Sequence, residues 1–256
     1  MEILVTDFTL ILLIFIRILS AFVATPIFSH VSIPSQVKVF LSFIIAYIIF
    51  SVTQPVNIAI DFNPWWLFGM AIKEIMVGLI IGFSINLVFY GFNFAGTFIG
   101  FDMGLAMAQV MNPVEETNGN VIGQVIYFMA LMVFFIIDGH QYVIRALSYS
   151  FQIIPLGEFS ANEEVFTLIL QYSASVFVIA VKIASPIMVS FFLIHIAEGV
   201  LARMIPQMQV FFVTQPLKIG IGFLLLIAVL PIYLYVIKNL LGEFENKLYT
   251  LVRAMG

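Results

Sequence analysis

Long apolar runs separated by short polar segments dominate this chain, a pattern typical of a protein that crosses a membrane several times. A spanning helix needs about 20 mainly apolar residues, so the runs predict about six membrane helices. We therefore predict an all-α, polytopic membrane protein that forms a single domain over residues 1–256. The apolar runs cover residues 8–29, 37–52, 65–110, 121–137, 165–196 and 217–241.

Some runs contain residues that interrupt regular helices. The run at 65–110 is far longer than a bilayer requires, and Gly91 and Gly96 near its middle predict a break or a pair of helices. Pro186 and Pro231 each remove one backbone hydrogen bond inside a later run. We therefore expect a kink at each of these prolines.

Capping signals mark two helix starts. Asn63 precedes Pro64, and proline is favoured at the first position of a helix. Ser160 and Glu163 have the spacing of a capping box ahead of the run at 165–196. We predict that helices begin at both places.

The segment between the fourth and fifth runs has a different pattern. Polar residues recur there at helical spacing, at Gln141, Arg145, Ser148 and Gln152, until the pattern stops at residues 154–157. This predicts an amphipathic helix. Such a helix either lies at the membrane interface or faces a partner subunit or an aqueous lumen.

Composition supports the membrane class and excludes several others. The chain is 62% hydrophobic and 9% charged, with a mean hydropathy of +1.14, which a water-soluble domain does not tolerate. Cysteine is absent, which excludes disulfides and thiolate chemistry. The net charge of −4 is spread thinly and gives no sign of nucleic-acid binding. Lys and Arg lie on both alternating sets of loops, so the positive-inside rule predicts no orientation.

A few charged residues lie deep inside the apolar runs. Because a charge in hydrocarbon is costly, we expect these residues to face protein, and we predict that sister subunits cover them. Arg17 stays protonated and needs a carboxylate, for which Glu74 and Asp102 are candidates. The group forms either an internal ion-pair network or a proton relay. The residues are Arg17, Lys73, Glu74, Asp102 and Lys182.

Glycines recur at four-residue spacing in the third run and its continuation. Such ridges of small residues let another backbone approach closely. The close neighbour is either another helix of this chain or a different subunit. The glycines are Gly78, Gly82, Gly96, Gly100 and Gly104.

A stripe of methionines precedes the polar loop 112–120. Met103, Met107 and Met111 share one helical face. Methionine is flexible and polarizable, so this stripe either seals against a changing surface or fills an ordinary core.

Catalytic and cofactor motifs are missing from the sequence. It contains no phosphate-binding loop, no HExxH and no recognisable nucleophile setting. His30, His140 and His195 are too scattered to form a metal-ligand motif. We expect a non-enzymatic protein without cofactor or metal.

The segments 202–211 and 215–220 resemble the FliR family of flagellar export-gate proteins, whose injectisome counterpart is SctT. Further landmarks, from Phe15 and Arg17 to Gly157, follow in the family's order, so the resemblance covers the chain end to end. One departure is Asp102, where the family more often has Gln, because the carboxylate must be paired or protonated. The motif positions in the two segments are Arg203, Pro206, Gln207, Pro216 and Lys218.

The resemblance implies a non-enzymatic subunit of the type III export gate, with flagellar use favoured, at the base of the flagellar basal body in the bacterial inner membrane. Its implied partners are FliP-like and FliQ-like gate subunits, FlhB-like and FlhA-like export proteins, and unfolded protein substrates. Family members form helical hairpins around a conduit that a loop plugs at rest; here that loop corresponds to residues 105–120.

We expect this plug to swing aside when a substrate or partner engages the gate. The alternatives are a secondary transporter or ion channel for small solutes, or a scaffold that never touches the substrate. Together with the methionine stripe, the resemblance makes the candidate plug residues Met103, Met107, Val110, Met111, Asn112, Pro113, Asn118 and Gly119.

Overall fold

The computed structural model describes residues 2–29, 33–53, 63–105, 120–207 and 209–256. These ranges contain helices and no strands, which confirms the predicted all-α class. The helices are α1 (Glu2–Ala24), α2 (Pro26–Ser29), α3 (Ser35–Thr53), α4 (Pro64–Asp102), α5 (Val121–Ile136), α6 (Gly139–Ile153), α7 (Glu163–Met204) and α8 (Val210–Ala254).

Most of these helices are long and apolar enough to cross a membrane. In the described part of the chain, five helices meet this condition: α1, α3, α4, α7 and α8. If the bent pair α5 and α6 is counted as one further span, the number of candidate membrane spans rises to six. The polytopic membrane architecture agrees with the prediction. Most of α3 and of the most apolar stretch of α8 is exposed in the isolated chain, so this chain itself covers little of the apolar surface there.

The predicted break in the third run is wrong, because α4 is one continuous helix of 39 residues. At about 1.5 Å per residue it is roughly 58 Å long, against a hydrocarbon core of about 30 Å. The two glycines near its middle serve close packing. A Cβ at Gly91 would meet the side chain of Ile179, and one at Gly96 would overlap the backbone of Gly123.

The prolines do not end their helices. The α7 helix continues through Pro186, and α8 continues through Pro216 and Pro231. Pro186 has no N–H to donate to the Lys182 carbonyl, four residues earlier. The Ser185 hydroxyl donates to that carbonyl oxygen at 3.1 Å, which compensates for the missing bond. The kinks themselves stay a prediction.

One of the two capping predictions is confirmed. The Trp65 N–H donates to the Asn63 side-chain oxygen at 3.1 Å, and α4 begins at Pro64. The cap of α7 is Asn162, whose side-chain oxygen accepts the Val165 N–H at 2.8 Å. The Ser160 capping box is therefore wrong: α7 begins at Glu163, so its first free N–H groups lie within reach of Asn162.

The amphipathic helix is confirmed as α6. Val143 and Leu147 are buried, Gln141 and Arg145 are exposed, and the helix ends before Pro155. Its apolar face therefore packs on this chain.

The chain divides into two compact units, and each is described by itself. Unit 1 comprises residues 1–87, 138–173 and 242–256, and unit 2 comprises 88–137 and 174–241. The single-domain organisation stays a prediction.

In unit 1, α1 packs on α3 and on the first half of α4. A Cβ at Gly78 would overlap the Arg17 carbonyl oxygen, and one at Gly82 would overlap that of Ala21. These glycines therefore allow the α1 and α4 backbones to meet directly. The close-packing role of this pair lies within the chain.

In unit 2, α4 packs on α5. The Phe89 ring makes edge contacts with Phe92, Tyr127 and Phe134, at centroid distances of 5.9, 5.9 and 5.7 Å. Edge-to-face aromatic pairs add stability beyond the burial of their area. This cluster and the Gly96 approach fix α5 against the second half of α4.

Candidate functional site

A buried charge cluster lies within unit 1. Arg17 is completely buried in α1, and its Nε donates to Glu74 Oε2 at 2.5 Å. Its Nη1 donates to Ser150 Oγ at 3.2 Å, and its Nη2 donates to the Ile154 carbonyl at 3.1 Å. The guanidinium carbon lies 4.2 Å from the centre of the Phe151 ring. Arg17 thus joins α1, α4, α6 and the turn that follows α6.

The same cluster also binds the backbone of that turn at Gly157. Glu74 Oε1 accepts the Gly157 N–H at 2.8 Å, and Lys73 Nζ donates to the Gly157 carbonyl at 2.9 Å. Gly157 has a φ of +77°, a conformation that glycine adopts without strain. Lys73 and Glu74 therefore do not pair with each other, and they reach opposite backbone groups of Gly157. We call Arg17, Glu74, Lys73 and Gly157 the turn clamp.

The burial of this pair corrects one expectation. Sister subunits were predicted to cover the mid-run charges, yet Arg17 and Glu74 are both buried by their own chain. The reason is that α6 and the turn after it lie over the guanidinium. The geometry is that of an internal ion pair, with a hydrogen-bond donor on each Glu74 oxygen.

The remaining predicted members do not form one buried network. Lys73 and Lys182 are exposed in the isolated chain, so this chain does not bury them itself, and their burial by partner subunits stays a prediction. Lys182 lies on a face of α7 that the chain leaves uncovered. Asp102 is half-buried at the end of α4, in unit 2.

The end of α4 is a second polar site. Gly104 has a φ of +77°, its N–H donates to the Phe101 carbonyl at 2.9 Å, and the Leu105 N–H donates to the Gly100 carbonyl at 3.0 Å. This pair of bonds is the Schellman motif, which needs a residue in the left-handed region and favours glycine there. The motif explains why the long helix stops at Asp102.

This helix end is docked on α8. The Met103 side chain is fully buried and lies against Gly222, where an added Cβ would contact it at 2.6 Å. Gln215 Nε2 donates to the Met103 carbonyl at 3.3 Å, and the Gln215 amide occupies the space where a Cβ of Gly104 would be. We call Met103, Gly104, Gln215 and Gly222 the α4–α8 junction.

An ion pair lies one turn further along α8. Lys218 Nζ is 2.7 Å from Glu198 Oε2, with side chains only 8% and 18% exposed, and it joins α8 to α7. Lys218 was selected only as a family-motif residue, and Glu198 was missed. The available signal was an acidic residue within the long apolar α7, the same signal that identified Glu74.

The other motif residues have a different setting. Arg203, Pro206 and Gln207 are exposed where α7 ends and the chain turns towards α8, and Pro216 is exposed within α8. They are therefore available to partners.

At the C-terminal end of the predicted plug, the start of α5 is hydrogen-bonded to α4 through Asn120. The Asn120 side-chain oxygen accepts the Ile122 N–H at 2.9 Å, and its Nδ2 donates to the Thr97 carbonyl at 3.3 Å. Gly100 leaves the room that the Asn120 amide occupies. Gly96, Gly100 and Gly104 are thus all close-packing positions within this chain.

Most candidate plug residues lie outside the described residues. Met103 is the exception, and its burial against α8 shows that it fills a core in this structure and does not form a free gasket surface. Those outside are Met107, Val110, Met111, Asn112, Pro113, Asn118 and Gly119. Within the described ranges, no group of three or more His, Cys, Asp or Glu residues is placed to hold a metal.

Comparison with known proteins agrees with this architecture. Residues 8–244 match the family model described as bacterial export proteins, family 1. The flagellar biosynthetic protein FliR of Bacillus subtilis is 33% identical over 249 residues, covering 96% of this chain and 95% of that protein. FliR of Escherichia coli is 28% identical over 237 residues, covering 93% of this chain and 90% of that protein.

The long apolar helices and the match over nearly the whole chain define a polytopic membrane protein of the bacterial export class. Within that class, the chain belongs to the FliR family.

Proposed function

We propose that this chain is a non-enzymatic subunit of the flagellar type III export gate and helps to form the conduit for unfolded protein substrates. Membership in the FliR family makes it a component of flagellar protein export. The family match over residues 8–244 is the observation that carries the proposal. Its helices supply the membrane-embedded wall, and other components supply the energy.

The proposed partners are FliP-like and FliQ-like gate subunits, together with FlhB-like and FlhA-like export proteins. The apolar faces of α3, α7 and α8 that this chain leaves uncovered are available to partner helices as well as to lipid. The exposed Lys182 in the middle of α7 adds a charge that partner protein is better able to neutralise than lipid. The proposed location is the bacterial inner membrane, at the base of the flagellar basal body.

The proposed plug is the segment 105–120, in which the Met and Asn residues obstruct the conduit at rest. The described residues on either side support this role, because Gly104 is docked on α8 and Asn120 is bonded to α4. A segment attached at two defined points suits a device that blocks the path and swings aside.

Deletion of residues 114–119 tests the plug. We expect greater leakage of ions or small solutes through the membrane, while the gate still assembles. Conductance measured in cells or vesicles carrying the complete gate checks this, with gate assembly followed by co-purification. A fully tight membrane with a complete gate would contradict the plug.

A secondary transporter or ion channel for small solutes was the alternative prediction, and the family match gives it no support. Purification in mild detergent distinguishes the two. A gate subunit is recovered in a large hetero-oligomer, whereas a transporter is recovered alone or as a small homo-oligomer. Crosslinking of a stalled substrate to residue 107 or 111 distinguishes a conduit subunit from a scaffold.

A further inference from the structure

We propose that Gln215 is the positioning residue that holds the C-terminal end of α4 on α8 in the resting gate, and that the α4–α8 junction separates when the gate opens. This inference rests on the proposed function, because it assigns the fixed point from which the plug begins. It concerns only residues of unit 2, all of which the structure describes.

The hydrogen bond of Gln215 satisfies a group that the helix leaves unpaired. In the Schellman motif, the last turn of α4 uses the carbonyls of Ile99, Gly100 and Phe101 as acceptors. The Met103 carbonyl comes after these and has no partner within the helix. Gln215 donates to it from α8 at 3.3 Å. The bond is therefore specific to the helix end.

Two glycines shape the surfaces that meet at this junction. Gly104 takes the left-handed conformation and leaves its side-chain space to the Gln215 amide. Gly222 lies seven residues after Gln215, which places both on the same face of α8. Its missing side chain leaves the notch that Met103 fills. Only residues without a Cβ allow both contacts at once.

The hydrogen bond of the α4–α8 junction and the neighbouring ion pair differ in strength. The bond from Gln215 to Met103 is between neutral groups, whereas Lys218 and Glu198 form a charge-assisted pair at 2.7 Å with both side chains mostly buried. Lys218 is three residues after Gln215, so both contacts come from one stripe of α8. The weaker contact is able to break while the ion pair keeps α7 and α8 together. This difference makes the end of α4 the movable part.

Gln215→Glu tests the positioning role. The substitution keeps the shape of the side chain but replaces the donor by a carboxylate facing the Met103 carbonyl. We expect roughly a three- to tenfold rise in solute leakage through the resting gate, the scale of one lost hydrogen bond, while export continues. Gln171→Glu is the matched control, because Gln171 is exposed on α7. We expect the control to leave leakage at the original level.

The notch is tested independently by glycine substitution. A Cβ at Gly222 would press on Met103, whereas Gly220 has nothing within 4 Å. We therefore expect Gly222→Ala to raise leakage and Gly220→Ala to leave it unchanged, with both variants recovered in complete gates.

A reversible crosslink tests the separation. The chain contains no cysteine, so Met103→Cys combined with Gly222→Cys provides a single thiol pair. Oxidation of that pair should stop export, and a reductant should restore it. Export at the normal rate through gates shown to be crosslinked would overturn the proposed separation.

The outcomes separate this inference from the plug itself. If deletion of residues 114–119 causes leakage while Gln215→Glu and Gly222→Ala remain tight, the positioning role of Gln215 is wrong and the plug stands. If the deletion also remains tight, the proposed plug is wrong. If Gln215→Glu prevents assembly, the crosslink result alone decides the inference.

Discussion

At the scale of single residues, Arg17 has the largest energetic consequence. It donates to Glu74, Ser150 and Ile154 from a site with no access to water. Removing one partner of a buried ion pair leaves the other charge uncompensated, and such losses are far larger than those at the surface. A single substitution in the turn clamp therefore affects the packing of several helices at once.

We expect Arg17→Met to destabilise the protein by about 3–5 kcal/mol, because it leaves the Glu74 carboxylate buried without its cation. The thermal stability of the detergent-solubilised gate and the amount of protein in membranes measure this effect. Arg145→Met is the matched control, since Arg145 is exposed and its hydrogen bond to Gln141 is long, at 3.5 Å. Equal stability of both variants would contradict the clamp.

Glu74→Gln distinguishes the ion pair from a proton relay. The substitution removes the charge but keeps the shape, so we expect lower stability with an unchanged export rate per assembled gate. Export assays normalised to gate content measure this. Loss of export from fully assembled gates would instead favour a proton-carrying role for Glu74.

At the scale of elements, α4 shows how glycine spacing determines packing. Gly78 and Gly82 bring α1 close, and Gly96 brings α5 close, so one helix presents two smooth surfaces. The length of α4 exceeds the bilayer thickness, and each half belongs to a different unit. The glycines therefore act locally, and none of them breaks the helix.

The pair Gly96→Ala and Gly69→Ala tests this view within one helix. A Cβ at Gly96 would overlap the backbone of Gly123, whereas Gly69 has nothing within 4 Å. We expect Gly96→Ala to cost about 1–3 kcal/mol through overpacking. Gly69→Ala should be neutral or stabilising by about 0.5–1 kcal/mol, because alanine favours helix. Proteolytic susceptibility and melting of the solubilised protein distinguish the two.

At the scale of the whole molecule, the chain leaves much apolar surface uncovered. Most of α3, most of the apolar middle of α8 and the face of α7 around Lys182 are exposed in the isolated chain. Lipid can cover the apolar side chains, but a cation in the middle of a spanning helix favours a protein neighbour or water. The exposed face of α7 around Lys182 therefore needs a protein or water neighbour that this chain does not supply.

From this we expect Lys182→Glu to reduce co-purification with the other gate subunits, because it reverses the charge that a partner carboxylate would neutralise. Lys182→Gln should have a smaller effect, since it removes the charge without introducing repulsion. Subunit ratios after mild detergent extraction measure the difference. Normal assembly of Lys182→Glu would show that no partner carboxylate faces this position.

Several features were predictable from the sequence because they depend on neighbours along the chain. Apolar runs predicted the helices, the Asn63–Pro64 pair predicted the start of α4, and the spacing of Gln141 and Arg145 predicted α6. Hydrophobic length and local capping act within a few turns, so these signals are visible without a fold.

Other features could not be predicted because they join distant residues. Glu74 and Asp102 were equal candidates for Arg17, and only packing across a separation of 57 residues decided between them. The Ile154 carbonyl had no sequence signal at all, since every residue has one. The Ser160 cap and the break in α4 were wrong because local patterns do not show which neighbour approaches.

The sequence by itself determined a membrane-class helical protein with a small number of charges that need partners, because burying an unpaired charge in apolar surroundings is costly in any fold. Only the tertiary structure decided that Arg17 is satisfied inside the chain, that Lys182 is not covered by it, and that Met103 packs against Gly222. Those outcomes depend on which helix faces meet, and that is a property of three-dimensional packing.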